Sequence, residues 1–205
     1  MKITVLGLSP LGAVIAASCS RYFEVAALDA DPAVVDALVA GRAPFGEPGL
    51  ADLIATNWAA RRLQFTTNPI LACVGADVLW LTDDPAGSNA AAVLDRLRAV
   101  LPNLSPGMLV LISSRLPAGT CEALWRQFPQ FHFAAVPMQL PQGDALDRFE
   151  KAERVVVGVR SAAKEALLET LFAPFTQHVE FLPTESAEAL ASMDSAGGRR
   201  DEPHS

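Results

Sequence analysis

The first 31 residues constrain the fold more than any other part of this 205-residue chain. Lys2 to Leu6 is a short run of β-branched and apolar residues, and the segment GLSPLG at residues 7–12 follows it directly. Small apolar residues continue to Cys19, and a second apolar run, Glu24 to Leu28, ends at Asp29. This order predicts a strand, a tight glycine turn, a helix and a second strand parallel to the first.

The glycine turn and Asp29 have the spacing of a dinucleotide-binding unit, G-x-G-x-x-G with an acidic residue about twenty positions later. In such a unit Gly7 permits the tight turn and Gly12 lets the helix pack closely on the strand. The first helical amides, including that of Leu11, would receive the pyrophosphate. Asp29 would accept hydrogen bonds from the adenosine ribose, and its charge would repel a 2′-phosphate, so the pattern predicts NAD rather than NADP.

The middle glycine of this pattern is replaced by Ser9, and Pro10 follows it. Serine adds a Cβ where the backbone has to approach the pyrophosphate, and proline removes an amide that is often unused at a first helical position. We therefore expect NAD binding that is weakened but retained. The alternative is a doubly wound sheet whose first turn binds nothing.

Composition limits the possible partners. With 51% hydrophobic and 19% charged residues, the chain suits one well-packed α/β domain. A net charge of −7 argues against nucleic acid and anionic membranes as partners. No apolar run reaches about 18 residues and no basic leader precedes the first strand, which predicts a cytoplasmic protein without membrane insertion.

The cysteines and histidines are few and scattered. Cys19, Cys73 and Cys121 are far apart, which is typical of reduced thiols rather than of a disulfide framework. The histidines are equally dispersed, and none of these residues has metal-ligand spacing. No metal site is therefore predicted.

Strands and helices alternate along the rest of the chain, which predicts a Rossmann-like, doubly wound α/β fold: a mainly parallel sheet with helices on both faces. We expect one NAD-binding domain over residues 1–193, followed by a disordered tail at 194–205. Within the domain we expect a core at 1–136, a further strand, helix and strand at 137–183, and the start of a truncated helix at 184–193. The core strands are predicted at 2–6, 24–28, 61–66, 77–82, 108–113 and 131–136.

Seven segments in order carry a resemblance to a known family. They are MKITVLGLSPLG at 1–12, LDAD at 28–31, AGRAPFGEPGL at 40–50, RLQFTT at 62–67, GADVLWL at 75–81, SSRLPAGT at 113–120 and ERVVVGV at 153–159. Together they resemble the NAD-binding domain of the nucleotide-sugar 6-dehydrogenases, which include the UDP-glucose and GDP-mannose dehydrogenases. The resemblance implies cofactor contacts at Arg42, Thr82, Ser114 and Thr120, although Arg42 is equally compatible with an exposed, solvated side chain.

The same resemblance implies that the catalytic residues are missing. The family oxidises a sugar C6 alcohol in two NAD-dependent steps through a thiohemiacetal on a cysteine, and none of the three cysteines here lies in a matching context. Met138 stands where the family has a glutamate that moves protons. Ala191 and Ser195 stand where it has a lysine and an asparagine that stabilise the oxyanion. No residue of this chain is therefore assigned a catalytic role.

The cofactor side departs from the family pattern less. Arg115 replaces the threonine of the loop at 113–120, and the turn after the fourth strand carries Asp83 and Asp84. Two carboxylates in that turn would be poor neighbours for a pyrophosphate.

Two functions remain open. We favour a non-catalytic binding or regulatory module that takes NAD(H), a nucleotide sugar, or a partner protein covering the face that a second domain covers in the family. The alternative is the dinucleotide-binding subunit of a split NAD-dependent UDP-glucose 6-dehydrogenase. Polysaccharide biosynthesis is the cellular setting that the resemblance implies for either function.

Overall fold

The computed structural model describes residues 1–43, 46–83 and 89–196, the last six by their backbone alone. These residues form eight strands and nine α-helices. The strands are β1 (Lys2–Leu6), β2 (Glu24–Leu28), β3 (Leu63–Thr66), β4 (Val78–Leu81), β5 (Leu109–Ile112), β6 (His132–Ala135), β7 (Val155–Val159) and β8 (Val179–Pro183). The helices are α1 (Pro10–Cys19), α2 (Pro32–Val39), α3 (Leu50–Ala59), α4 (Pro69–Cys73), α5 (Ala90–Val100), α6 (Thr120–Gln127), α7 (Ala145–Glu150), α8 (Glu165–Phe172) and α9 (Thr184–Ala196).

The eight strands form one sheet in the order β3-β2-β1-β4-β5-β6-β7-β8. Strands β1 to β6 run parallel, while β7 pairs with β6 in the antiparallel direction at Ala135 and Gly158. Strand β8 is parallel to β7. The order reverses between β1 and β4, and ligands of doubly wound sheets bind beyond the carboxyl ends of the strands at such a point. The Rossmann-like α/β fold is therefore confirmed.

Apolar residues fill both faces of the sheet, as a parallel sheet covered by helices requires. Trp80 of β4 is fully buried on one face, with its ring centroid 5.6 Å from that of Phe172 in an edge-to-face arrangement. Its indole N–H donates to Ser113 Oγ at 2.9 Å. Leu79 and Leu81 of the same strand belong to the cluster on the other face. Because successive side chains of β4 point to opposite faces of the sheet, this strand contributes to the apolar core on each face.

The helix starts follow from capping residues that are visible in the sequence. Asp31 precedes Pro32, and its Oδ1 accepts the Ala33 N–H at 2.8 Å. Asn68 and Asn89 cap α4 and α5 in the same way. A side-chain acceptor before a first-turn proline is a strong helix start, which explains why α2 begins at Pro32.

Three elements differ from the sequence-based expectation. Helix α7 was not predicted, because its six residues are too short to show a helical apolar pattern. The helix expected between the two strands of 137–183 begins with a 3₁₀ turn at Ala162–Lys164 and continues as α8. Helix α9 continues to Ala196, three residues into the predicted tail. Residues 197–205 of that tail lie outside the described residues, and the domain boundary at 193 stays a prediction.

Arg61 is the described non-glycine residue with a positive φ, at +58°. It follows the last turn of α3, where the Arg62 N–H donates to Asn57 O at 3.0 Å and closes the helix end. Glycine is preferred at this position because it has no Cβ to clash with the backbone.

We expect Arg61→Gly to raise the free energy of unfolding by about 0.5–1 kcal/mol, because relief of backbone strain exceeds the added entropy of the unfolded chain. Urea denaturation measures the change. Arg62→Gly is the matched control and should lower the free energy of unfolding, since the backbone of Arg62 is not in the left-handed region. Equal destabilisation by both variants would contradict the assignment of strain to Arg61.

Candidate functional site

The turn between β1 and α1 leaves no room for side chains at its two glycines. Gly7 has a φ of +96°, and a Cβ there would lie 2.5 Å from the Cβ of Asp83. A Cβ on Gly12 would lie 1.9 Å from the carbonyl oxygen of Gly7. Both positions therefore require glycine, and the turn brings the start of α1 directly against the carboxyl end of β4.

Thr82 and Ser9 hold this turn to the end of β4. The hydroxyl of Thr82 donates to Gly7 O at 2.7 Å, with Leu6 O also within 3.2 Å. In return, Ser9 Oγ donates to Thr82 O at 3.1 Å. Ser9 has a φ of −57°, so the residue at the middle-glycine position needs no left-handed backbone here. The serine hydroxyl thus forms part of the bonding of the turn.

Asp29 lies half-buried after β2 and binds the same turn. Its Oδ2 accepts the Leu8 N–H at 2.7 Å, and its Oδ1 accepts the Asp31 N–H at 2.9 Å. The carboxylate is therefore fixed beside the glycine turn by two backbone donors. Each carboxylate oxygen has a second lone pair, so Asp29 can also accept hydrogen bonds from a ligand's hydroxyl groups.

Ser114 supplies a free hydrogen-bonding group at the neighbouring strand end. It follows β5, its side chain is buried, and its Oγ has no hydrogen-bond partner within the described part of the chain. The adjacent Ser113 Oγ, by contrast, donates to Val136 O at 2.8 Å and accepts the Trp80 N–H. Buried hydroxyls without partners are rare, which makes Ser114 a candidate ligand contact.

The remaining predicted site residues are placed differently. Thr120 is buried at the start of α6, where its Oγ1 donates to Pro117 O at 2.5 Å. Leu11 is partly buried and packs against the core through its side chain, so only its backbone amide can serve a ligand at the start of α1. Arg42 is exposed after α2 and forms no salt bridge in the described ranges. The structure thus brings Gly7, Ser9, Gly12, Asp29 and Thr82 together, with Ser114 on the adjoining strand.

The carboxylate of Asp83 is compensated by a cation that the sequence pattern did not indicate. Asp83 is buried, and its Oδ2 accepts a hydrogen bond from Arg96 Nε of α5, with which it also forms an ion pair. A paired carboxylate repels a nearby anion less than a bare one, so the expected conflict with a pyrophosphate is reduced. Asp84 lies outside the described residues.

Two buried glutamates that sequence analysis also missed anchor the loops around the site. Glu47 accepts the N–H groups of Gly143 and Leu146 at 2.7 and 3.0 Å, which ties the 46–49 loop to the start of α7. Glu188 of α9 accepts the N–H groups of Gly119 and Cys121 at 2.6 and 2.8 Å. A carboxylate at a helix N-terminus is favourable, and Glu188 thereby fixes the 113–120 loop against α9.

None of the three thiols is placed as a nucleophile. All three are buried in helices. Burial raises the pKa of Cys73 to about 11 and also raises those of Cys19 and Cys121, with Glu188 adding to the shift of Cys121. A thiol needs a lowered pKa to attack at neutral pH, and these shifts have the opposite sign.

Neither a metal cluster nor a membrane span is found among the residues that the structure describes. No group of three or more His, Cys, Asp and Glu side chains there could hold a metal ion. The described helices also include none that is long and apolar enough to cross a bilayer.

We expect Gly12→Ala to lower the free energy of unfolding by at least about 2 kcal/mol, because the new Cβ meets the Gly7 carbonyl. Gly46→Ala is the control, since a Cβ there meets nothing within 4 Å. Urea denaturation of both variants measures the difference. A Gly12→Ala variant as stable as the control would show that the turn is looser than described.

We expect the folded chain to react with an alkylating reagent at pH 8 more than about 100-fold more slowly than the urea-unfolded chain, because raised pKa values keep the thiols neutral. The difference should narrow as the pH approaches the pKa of Cys73. Mass spectrometry of peptides labelled over time measures each thiol. Native-state labelling of any one cysteine at the unfolded rate would contradict the assignment.

Comparisons with known proteins agree with this geometry. Residues 1–176 match the family described as "UDP-glucose/GDP-mannose dehydrogenase family, NAD binding domain". UDP-glucose 6-dehydrogenase of Rhizobium meliloti (strain 1021) is 31% identical over 186 residues, which cover 82% of this chain and 42% of that protein. The Bacillus subtilis (strain 168) enzyme YwqF, also a UDP-glucose 6-dehydrogenase, is 25% identical over 96% of this chain and 48% of its own length.

Solved structures extend the agreement to the fold. A UDP-glucose dehydrogenase from Pyrobaculum islandicum superposes with a TM-score of 0.79 at 26% identity, covering 94% of this chain and 48% of that chain. GDP-mannose dehydrogenase from Pseudomonas aeruginosa gives 0.83 at 22% identity, covering 96% and 49%, and shows the shared fold. The chain spans about half the length of the curated relatives it matches. It belongs to the UDP-glucose/GDP-mannose dehydrogenase family and represents that family's NAD-binding domain.

Proposed function

We propose that this chain binds NAD(H) at the carboxyl edge of β1, β2, β4 and β5 and acts as a binding or regulatory module without catalysis of its own. The observation that carries the proposal is the glycine turn, where Gly7 and Gly12 exclude any Cβ and Asp29 is hydrogen-bonded to the turn itself. This is the arrangement that dinucleotide-binding sheets place at the reversal of strand order.

The residues present fit the cofactor. The first amides of α1, at Leu11 and Gly12, have no partners within their helix and are suited to a pyrophosphate. Asp29 is suited to ribose hydroxyls, and Ser114 offers a buried hydroxyl that lacks a partner within the described ranges. When bound, NAD+ would supply a hydride acceptor. We further propose that Thr82 acts by shaping the turn, since its hydroxyl is already bonded to Gly7 O.

The preference for NAD over NADP follows from Asp29. A fixed carboxylate beside the adenosine ribose would repel the charged 2′-phosphate of NADP. We also propose that Ser9 weakens binding relative to glycine. Its Oγ donates to Thr82 O beside the turn that the pyrophosphate has to approach. The pyrophosphate would therefore meet a side chain where a glycine would leave open space.

The absence of catalysis is proposed from the residues that stand at the family's reactive positions. Met138, half-buried after β6, has no group that can transfer a proton. The sequence carries Ala191 and Ser195 where the family has a cation and an amide. The described thiols are buried with raised pKa values. A cytoplasmic location and a setting in polysaccharide biosynthesis belong to this proposal as well.

We propose a nucleotide sugar as the second ligand. A cavity of about 660 Å³ adjoins Met138 and is lined by Phe149, Phe172 and Phe175. Arg148, Lys151 and Arg154 also line it, paired with Asp144, Asp147 and Glu180 respectively, and Glu153 adds a carboxylate to the wall. This volume lies within the range of small-molecule pockets, and aromatic walls with basic groups suit a nucleoside diphosphate.

Calorimetric titration with NAD+, NADH and NADP+ tests the proposal. We expect saturable binding of NAD+ and NADH, at least about tenfold weaker binding of NADP+, and a loss of about 1–3 kcal/mol for NAD+ in Asp29→Ala. Ser9→Gly should bind NAD+ more tightly than the natural chain. Asp36→Ala, at an exposed position on α2, is the matched control and should leave binding unchanged.

A parallel assay follows absorbance of NADH with UDP-glucose as substrate and separates the two functions. Binding without turnover supports the module. Turnover by the chain alone would contradict it, and turnover that appears only with a second protein would establish the alternative of a split dehydrogenase. No heat with any of the nucleotides at millimolar concentration would leave the fold as a scaffold and overturn NAD binding.

A further inference from the structure

A second, smaller cavity lies outside the candidate cofactor site. It has a volume of about 190 Å³ and is enclosed by α6, by Leu109 and His132 at the amino ends of β5 and β6, and by the turn after β7. Thr184, the first residue of α9, completes its wall. In a parallel sheet the amino and carboxyl ends of the strands lie at opposite edges, so this cavity reaches the edge away from the glycine turn.

The cavity is lined by three basic side chains, Arg160, Lys164 and His132. Lys164 is partly buried and forms no salt bridge in the described part of the chain. Burial, together with the charge of Lys164, lowers the pKa of His132. The lowered pKa keeps His132 neutral near pH 7, so Lys164 and Arg160 are the two cations in the wall of the cavity.

The carboxylate that lines the cavity is already shared between two arginines. Glu122 Oε2 accepts a hydrogen bond from Arg160 Nη1 at 3.1 Å, and its Oε1 accepts one from Arg126 Nε at 3.1 Å. The Arg160 guanidinium also lies 3.2 Å from the centre of the Trp125 ring. Stacking on the ring and the bond to Glu122 hold this guanidinium in place. A guanidinium has five N–H donors, so donors that do not bond Glu122 remain for an anion.

We propose that this cavity binds a small anion, a phosphate or a carboxylate, held by Lys164 and Arg160 with His132 and Thr184 beside it. The volume is below the roughly 300–1,000 Å³ of pockets for drug-sized ligands, which restricts the ligand to a small molecule. Leu109, Phe133 and Val159 give the wall an apolar part, so a small organic acid fits as well as an inorganic ion. In a chain with a net charge of −7, a cationic cavity of this kind is a local exception that favours a specific anion.

Calorimetric titration of the full chain with inorganic phosphate and, separately, with succinate tests the proposal at constant ionic strength. Lys164→Ala and Lys164→Gln should each weaken binding by about tenfold or more, because one of the two charges that face the anion is removed. Arg98→Ala is the matched control: Arg98 is exposed, pairs with Asp95 on α5, and should leave the affinity unchanged.

Saturable binding of either anion that both Lys164 variants weaken supports the site, and the tighter of the two identifies the ligand's charged group as phosphate or carboxylate. Absence of binding to both anions at millimolar concentration would overturn the proposal. Binding that the Lys164 variants leave unchanged, or that Arg98→Ala weakens equally, would also overturn it. The outcome is independent of NAD binding, because no residue of this cavity belongs to the glycine turn.

Discussion

The close approach of α1 to the ends of β1 and β4 is the constraint on which the rest of the structure depends. A Cβ on Gly12 would collide with the Gly7 carbonyl, and one on Gly7 would collide with Asp83, so no side chain can be placed between the helix and these strands. Thr82 and Asp29 then bind the turn from the two neighbouring strands, β4 and β2. The turn is therefore held from both sides, and the helix amides are directed at the position where strand order reverses.

The far side of the site is organised by α9. Glu188 accepts hydrogen bonds from the amides at the start of α6. Ala187 packs closely on β7, where a Cβ added to Gly158 would lie 2.5 Å from the Cβ of Ala187. These contacts fix the 113–120 loop, which carries Ser114. The proposed cofactor site is thus anchored on this side as well, and the resemblance implies that Met138, Ala191 and Ser195 stand at the family's reactive positions.

The sequence predicted the local parts of this arrangement. Gly7, Gly12 and Asp29 were recognisable because each acts within one β-α-β unit, and strand, turn and helix patterns are local. The long-range anchors could not be predicted in this way. Glu188 binds residues 67 and 69 positions away, and Glu47 binds residues 96 and 99 positions away. Arg96, which pairs with Asp83, likewise lies on a helix whose register relative to β4 depends on packing.

The side-chain geometry also changed the meaning of two expectations. Asp83 was expected to oppose a pyrophosphate, yet its ion pair with Arg96 reduces that repulsion. Ser9 was expected to hinder the approach of a pyrophosphate, and its hydroxyl has the additional role of holding the turn to β4. Neither effect can be obtained from residue identity, because both depend on which partner lies within hydrogen-bonding distance.

The most direct test of the central claim is a titration of isotopically labelled chain with NAD+, followed residue by residue through backbone amide resonances. We expect saturable chemical-shift changes at residues 7–12, at Asp29 and in the 113–120 loop, and none at the residues around Lys164. Shifts that bypass the glycine turn, or no shifts at millimolar NAD+, would contradict the assignment of this turn as a dinucleotide site.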